Sequence, residues 1–394
     1  MIAIIGAGIG GLAAGIALHR AGFTAEVFER AEVLGEVGAG LSLTPNANKG
    51  LEWLGVYAAV RPLADEPSQQ VTRHYSSGEL LVRFDRSDTV ARWGAPYLQI
   101  HRADLHAVLL RHFVEHCGGK VHTGHHLISL TTGVATDGAR ATELAFASGT
   151  RVRASAVIGA DGLKSVVRQQ LFGADAPRFE RFVAWRGLVP RERLGGLELA
   201  SGSAVFAGPG RLFVRYPVRH GALMNFVAFA RVDLWAGESW SQTGEIAEPM
   251  AVLEDFHPEV RAILAATPNG RCHKWGLFAR DPLPTWTRDN VTLLGDAAHP
   301  MLPWFGQGAA SAIEDAVVLG RCLLEDDAPK EIGAAFLRYE AARLPRVTML
   351  QRESAAGGER LVAMRPELLS NASVVNEDSL GIFAYDPACA SLTN

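Results

Sequence analysis

The chain has 394 residues, 48% of them hydrophobic and 20% charged, with a formal net charge of −4. That length buries a large core and suits two domains, or one large domain with an inserted sheet. The charge balance offers no field for nucleic acid or an anionic membrane, no apolar run approaches the roughly 20 residues of a membrane helix, and no basic stretch precedes the first strand at Ile2. Cys117, Cys272, Cys322 and Cys389 are scattered without metal-type spacing, which predicts reduced thiols and a cytoplasmic protein.

Ile2 to Ile5 reads as an apolar strand, followed by Gly6-Ala7-Gly8-Ile9-Gly10-Gly11, a helix with Leu12, Ile16 and Leu18, and a second strand ending Val27-Phe28-Glu29. Gly6 permits a tight turn, Gly8 lets backbone approach a pyrophosphate, and Gly11 lets the helix pack on the strand. Glu29 lies about 20 residues on, where an acid binds a ribose diol, and Arg30 adjoins it. This predicts dinucleotide binding and leaves NAD or FAD open.

Gly38 to Asn46 is a glycine-rich turn, a strand and a proline-ended loop, with Ser42 and Thr44 on one strand face. Ile100-His101-Arg102 opens a helix reaching about His116; Arg102 either holds a phosphate or pairs with Asp104. The cluster His122, His125 and His126 lacks the companions of a metal site. Val152 to Ile158 predicts a strand, leading into Gly159-Ala160-Asp161-Gly162 and a helix with Ser165 and Arg168.

From Phe179 to Trp275 short alternating strands and glycine turns predict an inserted antiparallel sheet. Arg211 and Arg215 share a strand face, with Tyr216 next to them. Facing a cavity, the pair suits an anionic ring substituent; otherwise it decorates the solvent side. Val291 to Leu294 is a buried strand entering Gly295-Asp296, Pro303, Trp304 and Gly306-Gln307-Gly308, then a long helix whose N-terminus suits an anion. Trp304 either stacks on a ring or fills the core. A further helix spans Ala334 to Leu350, before a weakly patterned tail.

Gly6-x-Gly-x-x-Gly with Glu29, then Gly159-Ala160-Asp161-Gly162, then Gly295-Asp296-Ala297-Ala298-His299-Pro300 resembles the single-component FAD-dependent aromatic hydroxylases, most of all the salicylate, 3-hydroxybenzoate and 6-hydroxynicotinate branch. Trp185-Arg186-Gly187, Tyr216-Pro217-Val218, Gln307-Gly308-Ala309 and Ile313-Glu314-Asp315-Ala316 support the resemblance, which runs to about Leu350.

The resemblance implies an α/β fold like that of p-hydroxybenzoate hydroxylase. A Rossmann-like FAD-binding domain covers 1–70, 97–177 and 275–350, a mainly antiparallel substrate sheet covers 71–96 and 178–274, and 351–394 form the tail. It further implies that Gly6, Gly8, Gly11, Glu29, Arg30, Arg102, Asp161, Gly295, Asp296, Gly306, Gln307 and Gly308 hold FAD. Ser42, Pro303, Trp304, Arg211, Arg215 and Tyr216 would face the substrate, the last three as catalytic candidates.

The implied reaction consumes NADH or NADPH and O2, passes through a flavin C4a-hydroperoxide and hydroxylates an aromatic or pyridine carboxylate, in a monomer or homodimer. With one GxGxxG, the nicotinamide nucleotide docks transiently. The 6-hydroxynicotinate branch has a histidine near Ser42 and a histidine and a tyrosine near Arg211 and Arg215, so no histidine base carries over. A same-fold flavoprotein acting on a non-aromatic or polycyclic substrate is the alternative.

Overall fold

The computed structural model describes residues 1–35, 38–134, 140–197, 199, 202–235, 242–324, 332–362, 365–369 and 375–392. Strands Ile2–Ile5, Ala156–Gly159 and Val291–Leu293 are wholly buried, and they form the centre of a six-stranded sheet. Its order runs Thr287–Arg288, Val291–Leu293, Ala156–Gly159, Ile2–Ile5, Ala25–Phe28, Lys120–His122, parallel apart from the first pair. Continuous apolar runs suit such strands because helices cover both faces. Helices Ile9–Arg20 and Gly308–Leu324 pack on this sheet and on each other.

An eight-stranded sheet stands beside it, in the order Gln242–Glu245, Arg271–Ala279, Arg178–Pro190, Leu223–Arg231, Arg211–Val218, Ser203–Gly208, Gln69–His74, Leu80–Asp85. All its neighbours are antiparallel except Ser203–Gly208 with Gln69–His74. The two-stranded pair Gly40–Leu43 and Leu98–His101 lies between the large sheets: Gly40 N–H donates to Asn225 Oδ1 at 2.8 Å.

Two expectations change. Val152 to Ile158 is not one strand: Arg151–Ala154 joins an antiparallel three-stranded sheet, and Ala156–Gly159 joins the parallel one. The alternating half has one solvated face and the apolar half has none, so the shift in pattern marks the break at Ser155. The last helix runs Ile332–Val362, past Leu350. Residues 375–392 then fold back, burying Ile382 and Phe383 beside Tyr97 and Leu350.

Candidate active site

The first glycine corner follows from close contacts. Gly6 has φ +106°, and a Cβ there would lie 2.4 Å from the Ala160 carbonyl oxygen; one on Gly11 would lie 2.0 Å from that of Gly6. A Cβ on Gly8 meets nothing within 4 Å, so only this glycine leaves open space for a ligand. Glu29 accepts from the Ala7 N–H at 2.8 Å and the Ala31 N–H at 2.9 Å. Arg30 beside it is exposed.

The corner at Asp161 is self-capped. Its carboxylate accepts from the Ser165 hydroxyl at 2.5 Å and the Val166 N–H at 2.7 Å, at the start of helix Val166–Phe172. Burial raises its pKa. Ala160 and Gly162 reach the cavity described below; Asp161 stays behind them.

The third corner is held by buried charge. Asp315 Oδ2 accepts from the Gly295 N–H at 3.1 Å and pairs with His299 at 2.5 Å, while its Oδ1 meets Arg343 at 2.8 Å. Burial tends to raise the Asp315 carboxyl; His299 and Arg343 outweigh this and bring it down to about 2. Glu314 pairs with Arg343 at 2.7 Å and Arg346 at 2.8 Å, and Asn46 donates to it at 2.6 Å. The turn at Gly295, helix Gly308–Leu324 and helix Ile332–Val362 are thereby one rigid unit.

Asn46 also donates to Gln307 Oε1 at 3.0 Å, and Gln307 Nε2 donates to the Phe305 carbonyl at 3.1 Å. The Gln307 side chain is therefore turned into the protein, not toward a cofactor as expected. Gly306, at φ +64°, and Gly308 open the helix N-terminus onto the cavity.

That cavity, about 550 Å³, lies between the strand ends of the parallel sheet and one face of the eight-stranded sheet. Gly8, Arg102, Gly162, Asp296 and Gly308 line one side; Leu212, Val214, Tyr216, Phe229 and Trp275 line the other. Asp104 pairs with Arg219 at 2.7 Å, which leaves Arg102 on the cavity wall. Trp304 is wedged against Phe182 at 5.3 Å and Phe229 at 5.0 Å and also lines the cavity beside Pro303, so it fills and faces at once. Tyr216 borders the same space, and burial pushes its phenol well up. Gly40 accommodates that ring: a Cβ would lie 2.4 Å from it.

Arg211 and Arg215 do share a face, but it is not the cavity: Arg215 is buried behind the sheet and Arg211 lies at its partly exposed edge. Arg211 makes two bonds to Asp255 at 2.7 and 2.9 Å, and Arg215, 0% exposed, donates to Glu259 at 2.6 Å. Leu212, Val214 and Tyr216 take the cavity side, so period two sends both arginines to the back, Arg215 to Glu259 of helix Pro258–Ala265 and Arg211 to Asp255 just before it. The substrate-anchoring and catalytic roles expected for them are corrected accordingly.

Sequence reasoning passed over Gln70, Arg86, Tyr97, Arg186 and Glu377, all on the cavity wall. Alternation in Gln69–His74 marks Gln70 and Thr72 as one face; nothing local marks Arg86 or the segment carrying Glu377. Among the described residues no group of three or more His, Cys, Asp or Glu is placed to hold a metal, and no helix is long and apolar enough to cross a membrane.

The donors fit FAD. Open backbone at Gly8, a helix N-terminus at Gly308 and Arg102 suit its phosphates and the electron-rich end of its ring. Asp296 faces the cavity without a hydrogen-bond partner among the described residues, as a group waiting for hydroxyls does; burial raises its pKa.

A family model described as an FAD binding domain matches residues 1–354. A 3-amino-4-hydroxybenzoate 2-monooxygenase of Streptomyces platensis is 37% identical over 358 residues, 91% of this chain and 87% of its own length. A 6-hydroxynicotinate 3-monooxygenase of Pseudomonas fluorescens is 33% identical over 362 residues, 90% of each. Salicylate hydroxylase in a substrate complex matches at a TM-score of 0.80 and 26% identity, over 98% of this chain and 95% of the other. A family-wide match and relatives of this similarity across nine-tenths of the chain carry one conclusion: the chain belongs to the FAD-dependent aromatic-ring hydroxylases.

Proposed function

We propose that this chain is an NAD(P)H- and O2-consuming monooxygenase that hydroxylates an aromatic or pyridine ring bearing a carboxylate. The observation that carries the reading is the single cavity in which Asp296 and the helix terminus at Gly308 face an apolar sheet wall bearing Tyr216 and Trp275. FAD, when bound, supplies electron transfer from the nicotinamide nucleotide and activation of O2. Gly8, Glu29, Arg102 and Asp296 would hold it, Gly6 and Gly11 shape the turn, and the N-terminus at Gly308 would favour negative charge on the group bound beside it. Leu212, Val214, Phe229, Trp275 and Trp304 enclose the aromatic ring and keep water out, which protects the oxygen-transfer step. Pro303, Tyr216 and Ser42 line the same cavity and would meet the substrate there.

The chain's relatives are named for hydroxylated and aminated benzoates and for a hydroxypyridine carboxylate, which supports that substrate class. The test is turnover with such acids under ¹⁸O2. One labelled oxygen in the product for each NAD(P)H consumed supports the reading; nucleotide consumption without incorporation, across the panel, contradicts it.

A further inference from the structure

Glu377 reaches the cavity on the folded-back end of the chain, and its backbone is fixed there. Asn376 Oδ1 accepts from the Asp378 and Ser379 N–H groups, both at 2.9 Å, and the Ile382 N–H donates to the Glu377 carbonyl at 2.8 Å. An asparagine that closes a turn on the N–H groups following it holds that turn locally. Ile382 and Phe383, both fully buried, then pin the turn to the core. Glu377 is thus presented from rigid backbone.

The Glu377 carboxylate lines the cavity, with its side chain 17% exposed. Arg86 Nη2 stands 3.6 Å from its Oε2, beyond the ~3.2 Å of a hydrogen bond. The Nε and Nη2 of Arg86 instead donate to Gln70 Oε1, at 2.9 and 2.6 Å. Arg86 therefore balances the charge of Glu377 without filling its lone pairs. Among the described residues no N–H or O–H donates to this carboxylate, so its open partner is a ligand that donates. From Arg86 the wall continues through Gln70 to Tyr97, whose hydroxyl lies 2.7 Å from Ser42 Oγ. Ser42 Cβ lies 3.9 Å from where a Cβ on Gly306 would stand. One end of this polar wall thus meets the turn on the flavin side, and the other carries the carboxylate.

We propose that Glu377 accepts a hydrogen bond from an amino group on the substrate ring, so that the substrates are amino-substituted, ring-hydroxylated aromatic acids. The inference rests on the hydroxylase reading and narrows its substrate class. An aryl amine offers two N–H donors, and its lone pair is drawn into the ring, so it matches a group that only accepts. A ring hydroxyl at the same position presents lone pairs as well as a proton, and a second carboxylate presents like charge; Glu377 selects against both. Arg86 acts as a positioning residue, holding the carboxylate by charge while Gln70 holds Arg86.

The test titrates the FAD-loaded enzyme with aminohydroxybenzoates near neutral pH, where aryl amines are uncharged, and reads binding from the flavin absorbance. Each compound is paired with its amino-free parent and with the analogue carrying a hydroxyl in place of the amine. In the wild type at least one amino compound is expected to bind about tenfold more tightly than its parent, as one charge-assisted hydrogen bond provides, and more tightly than its hydroxyl analogue. Glu377→Leu is expected to bring the ratio to within about twofold, and Glu377→Gln, which keeps a neutral acceptor, to lower it by less. The ratio cancels what uncovering Arg86 does to all ring acids alike, and the Gln variant serves should the Leu variant lose FAD. An amino advantage that stands unchanged in variants retaining FAD, a wild type without one, or a hydroxyl analogue that binds as tightly as the amine overturns the proposal alone. Failure of the wild-type holoenzyme to bind any ring-hydroxylated acid overturns the functional reading and the proposal together.

Discussion

Arg215 and Glu259 form a buried ion pair, 2.6 Å from Nε to Oε1, on the back of the sheet whose front lines the cavity. Removing one partner leaves a buried charge uncompensated, which costs about 3–5 kcal/mol. Arg215→Ala is therefore expected to lower the unfolding free energy read from denaturant curves by that amount while leaving the KM for the aromatic acid unchanged at temperatures where the variant stays folded. A raised KM with unaltered stability would restore the substrate-anchor role.

The glycines of the first corner separate folding from cofactor binding. Gly8→Ala points a methyl into open space, so the protein is expected to fold normally and to lose roughly tenfold or more in FAD affinity, or ~1.4 kcal/mol. Gly11→Ala drives a methyl to 2.0 Å from the Gly6 carbonyl oxygen, and the expected loss is in folding itself. Thermal melts and flavin fluorescence titrations of the two variants, side by side, check this.

The parallel sheet and its glycine corners were legible in the sequence because each depends on a local pattern: an apolar run, a turn that only glycine allows, and a helix start. The sheet wall was legible only as a texture. Which face of Arg211–Val218 lines the cavity depends on the helix Pro258–Ala265, more than 40 residues away, covering the other face. Alternation gave Arg211 and Arg215 a common side without naming it. Gln307 misled for a similar reason: its position at the helix start suggested a cofactor contact, but Asn46, far away in the chain, claims its side chain. Arg86 and Glu377 meet only through the folded-back end of the chain, which no local pattern announces.

Asp315 sets an acid limit on the unit behind the flavin site. Its folded pKa of about 2 lies below the usual value near 3.9 of an unfolded aspartate, so its contribution is fully present above about pH 4. It is lost as pH falls through about 2, and amounts to about 2–3 kcal/mol. The stability difference between wild type and Asp315→Asn is expected to shrink across that window in acid melts. A difference that holds constant from pH 4 to 2 would contradict the pairing.

The segment at 375–392 is expected to be part of the folded core. Phe383 is fully buried against Tyr97 and Trp93, so Phe383→Ala is expected to cost about 3–5 kcal/mol. Because Tyr97 is its neighbour and a member of the cavity wall, substrate affinity is expected to fall in the same variant. Equilibrium unfolding together with a substrate titration checks both effects; a change in neither would mean that the segment is only loosely attached.

The most direct test of the hydroxylase assignment is anaerobic stopped-flow reduction of the bound flavin by NADH and by NADPH, alone and with a panel of hydroxylated benzoates and hydroxypyridine carboxylates. The account predicts slow reduction by either nucleotide alone and sharp acceleration by at least one ring acid, because substrate completes the cavity wall beside the flavin. Reduction that is equally fast without any ring acid, or that never occurs with either nucleotide, would contradict it.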